Sequence, residues 1–414
     1  MLEKIKCLYK AEYEECPALT LFCTISLISV IVLIVLSIIT RGETFNFVMQ
    51  FNYESYVFGD HFDSIMYSSD RPYSYWEVTY PPLITLVYAI LGWFTIPYIN
   101  GSGANLAEQL LHSDVSIFVF VIFMLVSVYI LHFLFTNFES KKYPHIKCEL
   151  LFFCVLFSVP ALYAIQRGNC IFYAIDAILL FLFGFRSENK WIRWASYFSL
   201  AIAVNIKLYP ALLAILILKE RNYRGFVECI LLCLAFFFGL FVFTDGNPIN
   251  FFEILFSYAS PSGGTGTGSY IGIRQWIAKI GEDYFGNMLN SLGLIVVLGF
   301  LLLSLVLIVI DNEMPLWQAL GLLGCNMVLG IGISTVYVFM YLIPALMFFL
   351  IQCKNFDKST YCITILFALI IAVIPLYPFI RSILTFVLMI ILLSYSLKRT
   401  SHSKNFNSLI LSEE

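Results

Sequence analysis

Residues 18–40 read ALTLFCTISLISVIVLIVLSIIT, from Ala18 to Thr40, without a single charged side chain. At 1.5 Å per helical residue, a stretch of this length crosses a hydrocarbon core of roughly 30 Å. It is too long for the apolar part of a secretory signal and lacks a small-residue cleavage site, so it reads as a signal anchor that stays in place. The pattern repeats along the chain. Of 414 residues, 60% are hydrophobic and only 12% are charged, against about 25% charged in soluble domains. The charges cluster between apolar blocks of about 17–23 residues. The blocks lie near 18–40, 115–136, 148–165, 170–185, 194–206, 208–218, 226–243, 291–310, 316–333, 335–351, 360–377 and 379–397. This predicts an all-α polytopic integral membrane protein with about 11–13 transmembrane helices. Forty Phe and twenty-five Tyr suit lipid-facing and interfacial surfaces. A net charge of -3 says little, and nothing points to nucleic acid.

Orientation follows from the basic residues. With the N terminus inside, and with the apolar stretch 81–99 entering and leaving on one face or lying along the interface, 17 of the 24 Lys and Arg fall on the cytoplasmic side. If 81–99 spans instead, the basic loops after it change side. In either case Gly42–Tyr80 stays outside. Two long outer loops result, about 41–80 and 244–290, and loops this long in a compact protein are usually functional or disordered. The first is too aromatic for disorder. In the second, PSGGTGTGSY (261–270) lacks the Gly-Lys-Ser/Thr of a phosphate loop and reads as a mobile lid or connector between two short interfacial helices. Trp191–Lys219 reads as a hairpin of two short apolar halves with Lys207 and Pro210 at its outer tip. Such broken helices persist only where protein or a cavity shields them. The eleven cysteines lie in or near spans or in short loops, which argues against a disulfide framework.

The chemistry concentrates in the first outer loop, where Gly59–Leu83 reads GDHFDSIMYSSDRPYSYWEVTYPPL. Asp60 and Asp63 stand three apart, so a helix would put them on one face. A carboxylate beside an apolar surface suits the removal of a proton from a sugar hydroxyl. Asp70 sits in SSDRPY, which reads as a turn with Pro72 fixing the backbone. Lys207 and Arg167 approach the outer zone from different helices, as cations for a phosphate would, and Arg381 opens the last block. Glu77 is a candidate second carboxylate for binding an acceptor, Tyr80 and Trp76 offer faces for a sugar, and His61 beside two aspartates is a weak metal signal. Asp176 lies within a span.

These motifs, in order, resemble a known family. An early loop aspartate is followed by YPPL at Tyr80–Leu83, RGN at Arg167–Asn169, IKLYPALL at Ile206–Leu213 and KERNYR at Lys219–Arg224. Together they resemble the polyprenyl-phosphate-sugar-dependent glycosyltransferases of GT-C fold, and within them glycosyltransferase family 87, typified by mycobacterial mannosyltransferases. The resemblance covers roughly residues 18–245. It implies a catalytic module over 1–245 with the loop 41–80, an outer lid over 246–290, and further spans with a cytoplasmic tail over 291–414. It implies a sugar donor on a polyprenyl phosphate, a glycan or glycolipid acceptor, and inverting transfer at the outer face of the cytoplasmic membrane, with no cofactor and no metal favoured. Asp60 best matches the family's base, with Asp63 close by, and Lys207 matches the lysine before Tyr-Pro. Where the family often carries Gly-Gln, this chain has Gly168 and Asn169, which keeps an amide. Two other classes compete: a flippase or transporter for a lipid-linked sugar, and an outer-leaflet glycan polymerase or ligase.

Overall fold

The computed structural model describes residues 16–49, 57–99, 105–137, 145–258, 271–282, 287–330, 335–353 and 357–410, and the regular elements among them are all helical. Helix α1 (Pro17–Ile39) opens on a proline, whose missing N–H is no loss in a first turn, and leads to the short α2 (Glu43–Met49). The first of the two expected long loops folds into α3 (Gly59–Ser69) before α4 (Pro82–Thr95). After α5 (Leu106–Leu111) comes the long α6 (Asp114–Asn137). Next are α7 (His145–Leu156) and α8 (Val159–Arg167), which meet at 58° around Ser158. The Ser158 hydroxyl caps α8 by accepting from the Ala161 amide.

Helices α9 (Ile171–Gly184) and α10 (Lys190–Ile206) follow, then a 3-10 segment, Tyr209–Ala214, that runs into α11 (Ile215–Lys219). Helix α12 (Tyr223–Leu240) precedes α13 (Pro248–Tyr258) and α14 (Ile273–Glu282), the two short helices expected around the glycine-rich stretch, and 261–270 itself lies outside the described residues. The chain closes with α15 (Asn287–Ile310), α16 (Leu316–Leu329), a 3-10 segment Val336–Leu342 continuing into α17 (Ile343–Gln352), then α18 (Lys358–Ile371) and α19 (Pro378–Ile410).

The apolar helices divide into two kinds. Among the described residues, α1, α6, α12, α15 and α19 are long and apolar enough to cross a membrane, making five, or six if the bent α7–α8 pair is one span. The others run 10–17 residues, roughly 15–26 Å, which is short of the hydrocarbon thickness. The two kinds occupy different places. Most of α1 and α15 shows large apolar side chains on the outside, among them Ile31, Ile38, Ile295 and Leu302. In α16 and α17, by contrast, nearly every residue is buried. A helix that is apolar all round belongs inside protein or lipid. The long helices therefore form much of the lipid-facing wall, and short and broken ones fill the centre, where protein shields their ends.

Polar contacts hold the ends of these helices. At one end, buried Asp311 accepts from the Ser396 hydroxyl at 2.8 Å and from Arg399 Nε at 3.0 Å, while Lys219 donates to the Asp311 carbonyl at 2.9 Å. Arg381, expected at a donor phosphate, is instead buried, and this corrects that reading. Its Nη1 donates to the carbonyls of Leu369 and Ile370, and its Nη2 to those of Ala372 and Ile374. It caps the end of α18, where four carbonyls lack helical partners.

The two long loops expected on one face are strapped together by Asp245, which the sequence motifs did not single out. Its carboxylate accepts the amides of Tyr73 at 3.1 Å and Ser74 at 3.0 Å, and the Ser74 hydroxyl at 2.6 Å. Although burial pushes this carboxyl up, the Ser74 hydroxyl and the two amides outweigh it and hold the group below its usual range. The Tyr73 ring packs under Phe241 and Phe251, and its hydroxyl donates to the Tyr80 carbonyl at 2.9 Å. The loop that carries Asp60 is thus pinned to the end of α12. Replacing Asp245→Ala removes three hydrogen bonds from a surface strap and leaves the bundle intact. Amide exchange across residues 71–80 is expected to speed up by at least about ten-fold, with little change in global melting temperature. Acidification of the parent protein is expected to loosen the same segment, because this carboxylate stabilises the fold only while ionised.

Candidate active site

The RGN motif is a helix stop. Gly168 has φ +66°, and its amide bonds to the Ile165 carbonyl while the Asn169 amide reaches back to Ala164 at 2.9 Å. This is the Schellman arrangement, which needs a left-handed residue after the last helical turn. Glycine is required here twice over, since a Cβ at 168 would also stand 2.8 Å from the His61 Cβ. The stop sends Arg167 and Asn169 out together from the end of α8. The other partner arrives along α3. Phe58, itself left-handed, donates its amide to the Gln166 carbonyl at 2.7 Å and so fixes the start of α3 against the end of α8.

Asp60 lies in the first turn of α3, where the helix dipole favours a carboxylate. Its Oδ1 accepts from Arg167 Nε at 3.0 Å and Nη2 at 2.6 Å, and its Oδ2 from Asn169 Nδ2 at 2.7 Å. The Asn169 carboxamide is oriented from its other side, because its Oδ1 accepts the Ile171 amide at 3.0 Å. Side-chain exposures of 23% for Arg167 and 16% for Asp60 make this a shielded, charge-assisted pair, worth roughly 1.5–3 kcal/mol per bond. The Arg71–Asp70 pair, with both groups more than half exposed, is worth at most about 1 kcal/mol.

Tyr80 joins this pair to Lys207. Its hydroxyl is 3.4 Å from Asn169 Nδ2, and its ring carries Lys207 Nζ at 4.2 Å from the centroid. Burial pushes the Tyr80 phenol well above its ordinary range, so the hydroxyl stays protonated. Lys207 caps the C terminus of α10 and also lies 5.5 Å from the Tyr337 ring. Among the described residues, Lys207 has neither a hydrogen bond nor an ion pair, and Nη1 of Arg167 makes no bond. A carboxylate, two cations with unused N–H groups, a carboxamide and two phenols therefore meet where α3, α8, α10 and the 3-10 segment 336–342 converge.

Several expected residues fall outside this cluster. His61, read as a sugar or metal contact, is fully buried, boxed by the rings of Phe62, Tyr88, Phe120 and Phe123, and among the described residues neither ring nitrogen has a hydrogen-bond partner. It cannot touch a sugar from there. Glu77 is exposed on a left-handed loop position, and Trp76 packs on Tyr67 and Tyr75. Asp63 lies half-buried one turn along α3, and the bonds that define the cluster run to Asp60 instead. Asp176 is buried and accepts from Ser127 at 2.6 Å inside the bundle. Tyr337 was missed, since nothing in its local sequence distinguishes it from other apolar-segment tyrosines. Among the described residues, no three His, Cys, Asp or Glu converge as a metal site would need.

The family model for glycosyltransferase family 87 matches residues 78–332. It starts later and runs further than the 18–245 resemblance, taking in Tyr80, Arg167, Asn169 and Lys207 and leaving Asp60, 18 residues before its start, and Tyr337, five after its end, outside. No curated protein and no solved structure matches the chain.

Two outcomes follow from this packing. Gly168→Ala is expected to cost about 2–4 kcal/mol, from left-handed strain plus overpacking against His61, and to appear as a lowered melting temperature. Burial lowers the His61 imidazole to about 3, so the unfolded chain takes up a proton that the folded one refuses. Stability is full above pH 6.5 and is lost as pH falls from there toward 3, by about 2 kcal/mol between pH 7 and pH 5. In His61→Leu that part of the pH slope is expected to vanish in thermal unfolding scans.

Proposed function

Because the match takes in more than half of its length, this chain belongs to glycosyltransferase family 87, and we propose that it transfers a hexose or pentose from a polyprenyl-phosphate donor to a glycan or glycolipid acceptor at the outer face of the membrane. That it is a membrane glycosyltransferase follows from the family and from the apolar helices. The finer reading rests on one observation, the Tyr80 bridge that brings the Asp60 carboxylate and the Lys207 ammonium into one site.

In this reading the donor's phosphate lies against Lys207 Nζ and Arg167 Nη1. Asp60, through the free lone pair of Oδ2, takes the proton of the acceptor hydroxyl. The acceptor oxygen attacks the anomeric carbon from the face opposite the leaving group, and the configuration inverts. The bond from that carbon to the phosphate oxygen breaks, and the electron pair leaves with the phosphate. Its developing charge is met by two cations already in place, which is where preorganised electrostatics contributes most. Phosphate and Asp60 draw on the same guanidinium, so the arriving donor pulls Arg167 toward itself and opens the carboxylate to the acceptor. The phenol faces of Tyr80 and Tyr337 supply apolar surface beside the cation. A cavity of about 230 Å³ lined by Val204, Leu208, Ala211, Cys233 and Phe237 adjoins the Lys207 turn and accommodates part of a prenyl chain. With two cations and a single engaged carboxylate at the centre, the site is a poor cage for a divalent ion, and the transfer runs without one.

The test is donor turnover by the purified protein. Asp60→Asn is expected to lower transfer by about 10²–10⁴, with a somewhat lowered melting temperature because Arg167 loses its charged partner, and Lys207→Ala to lower it by about 10²–10³ with a melting temperature near the parent's. Chelation by EDTA is expected to leave turnover unchanged. Full activity in Asp60→Asn rejects the base, and cleavage of nucleotide sugars in place of polyprenyl-phosphate sugars rejects the donor. Movement of the lipid-linked sugar across the bilayer without cleavage would replace the whole reading with transport.

A further inference from the structure

Helix α10 carries Lys207 at one end. Its other end lies 17 residues away, about 25 Å along the axis, and opens on a second polar cavity that the transfer reaction does not use. This cavity has a volume of about 200 Å³, and Lys190, Arg193, Trp194, Arg224 and Glu228 stand around it. Three of its charged groups are cations and one is an anion. Lys190 has no hydrogen bond or ion pair among the described residues. Arg193 gives only Nη1 to the Ser187 carbonyl, at 2.9 Å. Arg224 gives only Nε to Glu228, at 2.8 Å, while its side chain is 87% exposed. Nearby Glu220 is already engaged by Arg186.

The backbone adds to this surplus. The N termini of α10 and α12 both end at the cavity, capped by the side-chain oxygens of Asn189 and Asn222. Two helix N termini aimed at one space favour an anion, as do free guanidinium and ammonium donors. The floor is rigid. The Asn222 side chain accepts the Gly225 amide at 2.9 Å and donates to the Tyr197 hydroxyl at 3.3 Å, and a Cβ at 225 would lie 2.4 Å from that hydroxyl. Trp194 at the rim and Trp191 beside it, 82% exposed, are of the residue type that gathers at membrane interfaces.

We propose that this cavity binds a phosphate-bearing anion, separate from the donor site and at the opposite end of α10. A lipid phosphodiester headgroup or a free phosphate offers the same chemistry. Lys190, Arg193 and Arg224 hold its oxygens, and Glu228 limits the affinity by occupying Arg224.

The experiment uses the full chain in nanodiscs. In one arm the discs contain phosphatidylcholine with phosphatidylglycerol, and the lipid kept through delipidation is read by native mass spectrometry. In the other the discs contain phosphatidylcholine alone, and inorganic phosphate is titrated while the melting temperature is followed. Retained phosphatidylglycerol assigns a headgroup, and stabilisation by phosphate assigns a soluble anion. The double variant Lys190→Gln, Arg224→Gln is expected to weaken whichever binding occurs by about 25-fold, roughly five-fold per charge removed. Glu228→Gln is expected to strengthen it several-fold, a gain that misfolding cannot imitate. Binding unchanged by all of these substitutions, or absent in both arms from the parent protein, overturns the proposal.

Discussion

An aspartate held by a guanidinium at 2.6 Å and a carboxamide at 2.7 Å, at the edge of an apolar bundle, is the contact on which the site depends. Neither charge is stable alone in such surroundings. Their pairing holds the loop that carries α3 and the α8–α9 turn together. It also sets what the rest of the chain must do. A glycine must end α8, Phe58 must take a left-handed backbone, and Asn169 must be held from behind so that its amine faces the carboxylate. Each of these serves one short stretch of backbone, and together they fix the position of one carboxyl group.

The membrane architecture was open to reading from hydropathy, because a charge-free run such as 18–40 has few other fates. The expected apolar blocks fold as helices, but among the described residues only five, or six with the bent α7–α8 pair, are long and apolar enough to cross a membrane, against the 11–13 expected. The block 148–165 bends in its middle, and 208–218 and 335–351 contain 3-10 turns. What hydropathy does not carry is which apolar helix faces lipid and which faces protein, since both environments select the same side chains. Only length separates them here, with the long helices outside and the short, interrupted ones within. Asp60 and Arg167 were each singled out, but as holders of separate tasks. Their pairing spans 107 positions and depends on a helix stop whose geometry is not apparent in the letters R-G-N.

Other residues were misread for related reasons. His61 looked like a ligand because it stands between two aspartates in sequence, yet on α3 its ring turns inward while Asp60 turns out. Asp245, in TDGNP just after an apolar block, carried a usable signal as an acid at a span end followed by turn residues. Tyr337 carried none. Its contribution to the Lys207 surroundings also shows that residues from the last third of the chain reach the site, so a division at 245 separates groups that meet in space.

Arg381 has a consequence of its own. A guanidinium can serve carbonyls from two nitrogens in one plane, and here it reaches four of them around a chain reversal deep in the protein. An ammonium carries the same charge but has three donors on a single atom, and it cannot span that fan. At this position, exchange of one basic residue for another keeps the arithmetic of charge and leaves main-chain oxygens short of donors. The last hairpin of the protein therefore tolerates arginine because of its shape, and the charge is what it has to bear in return.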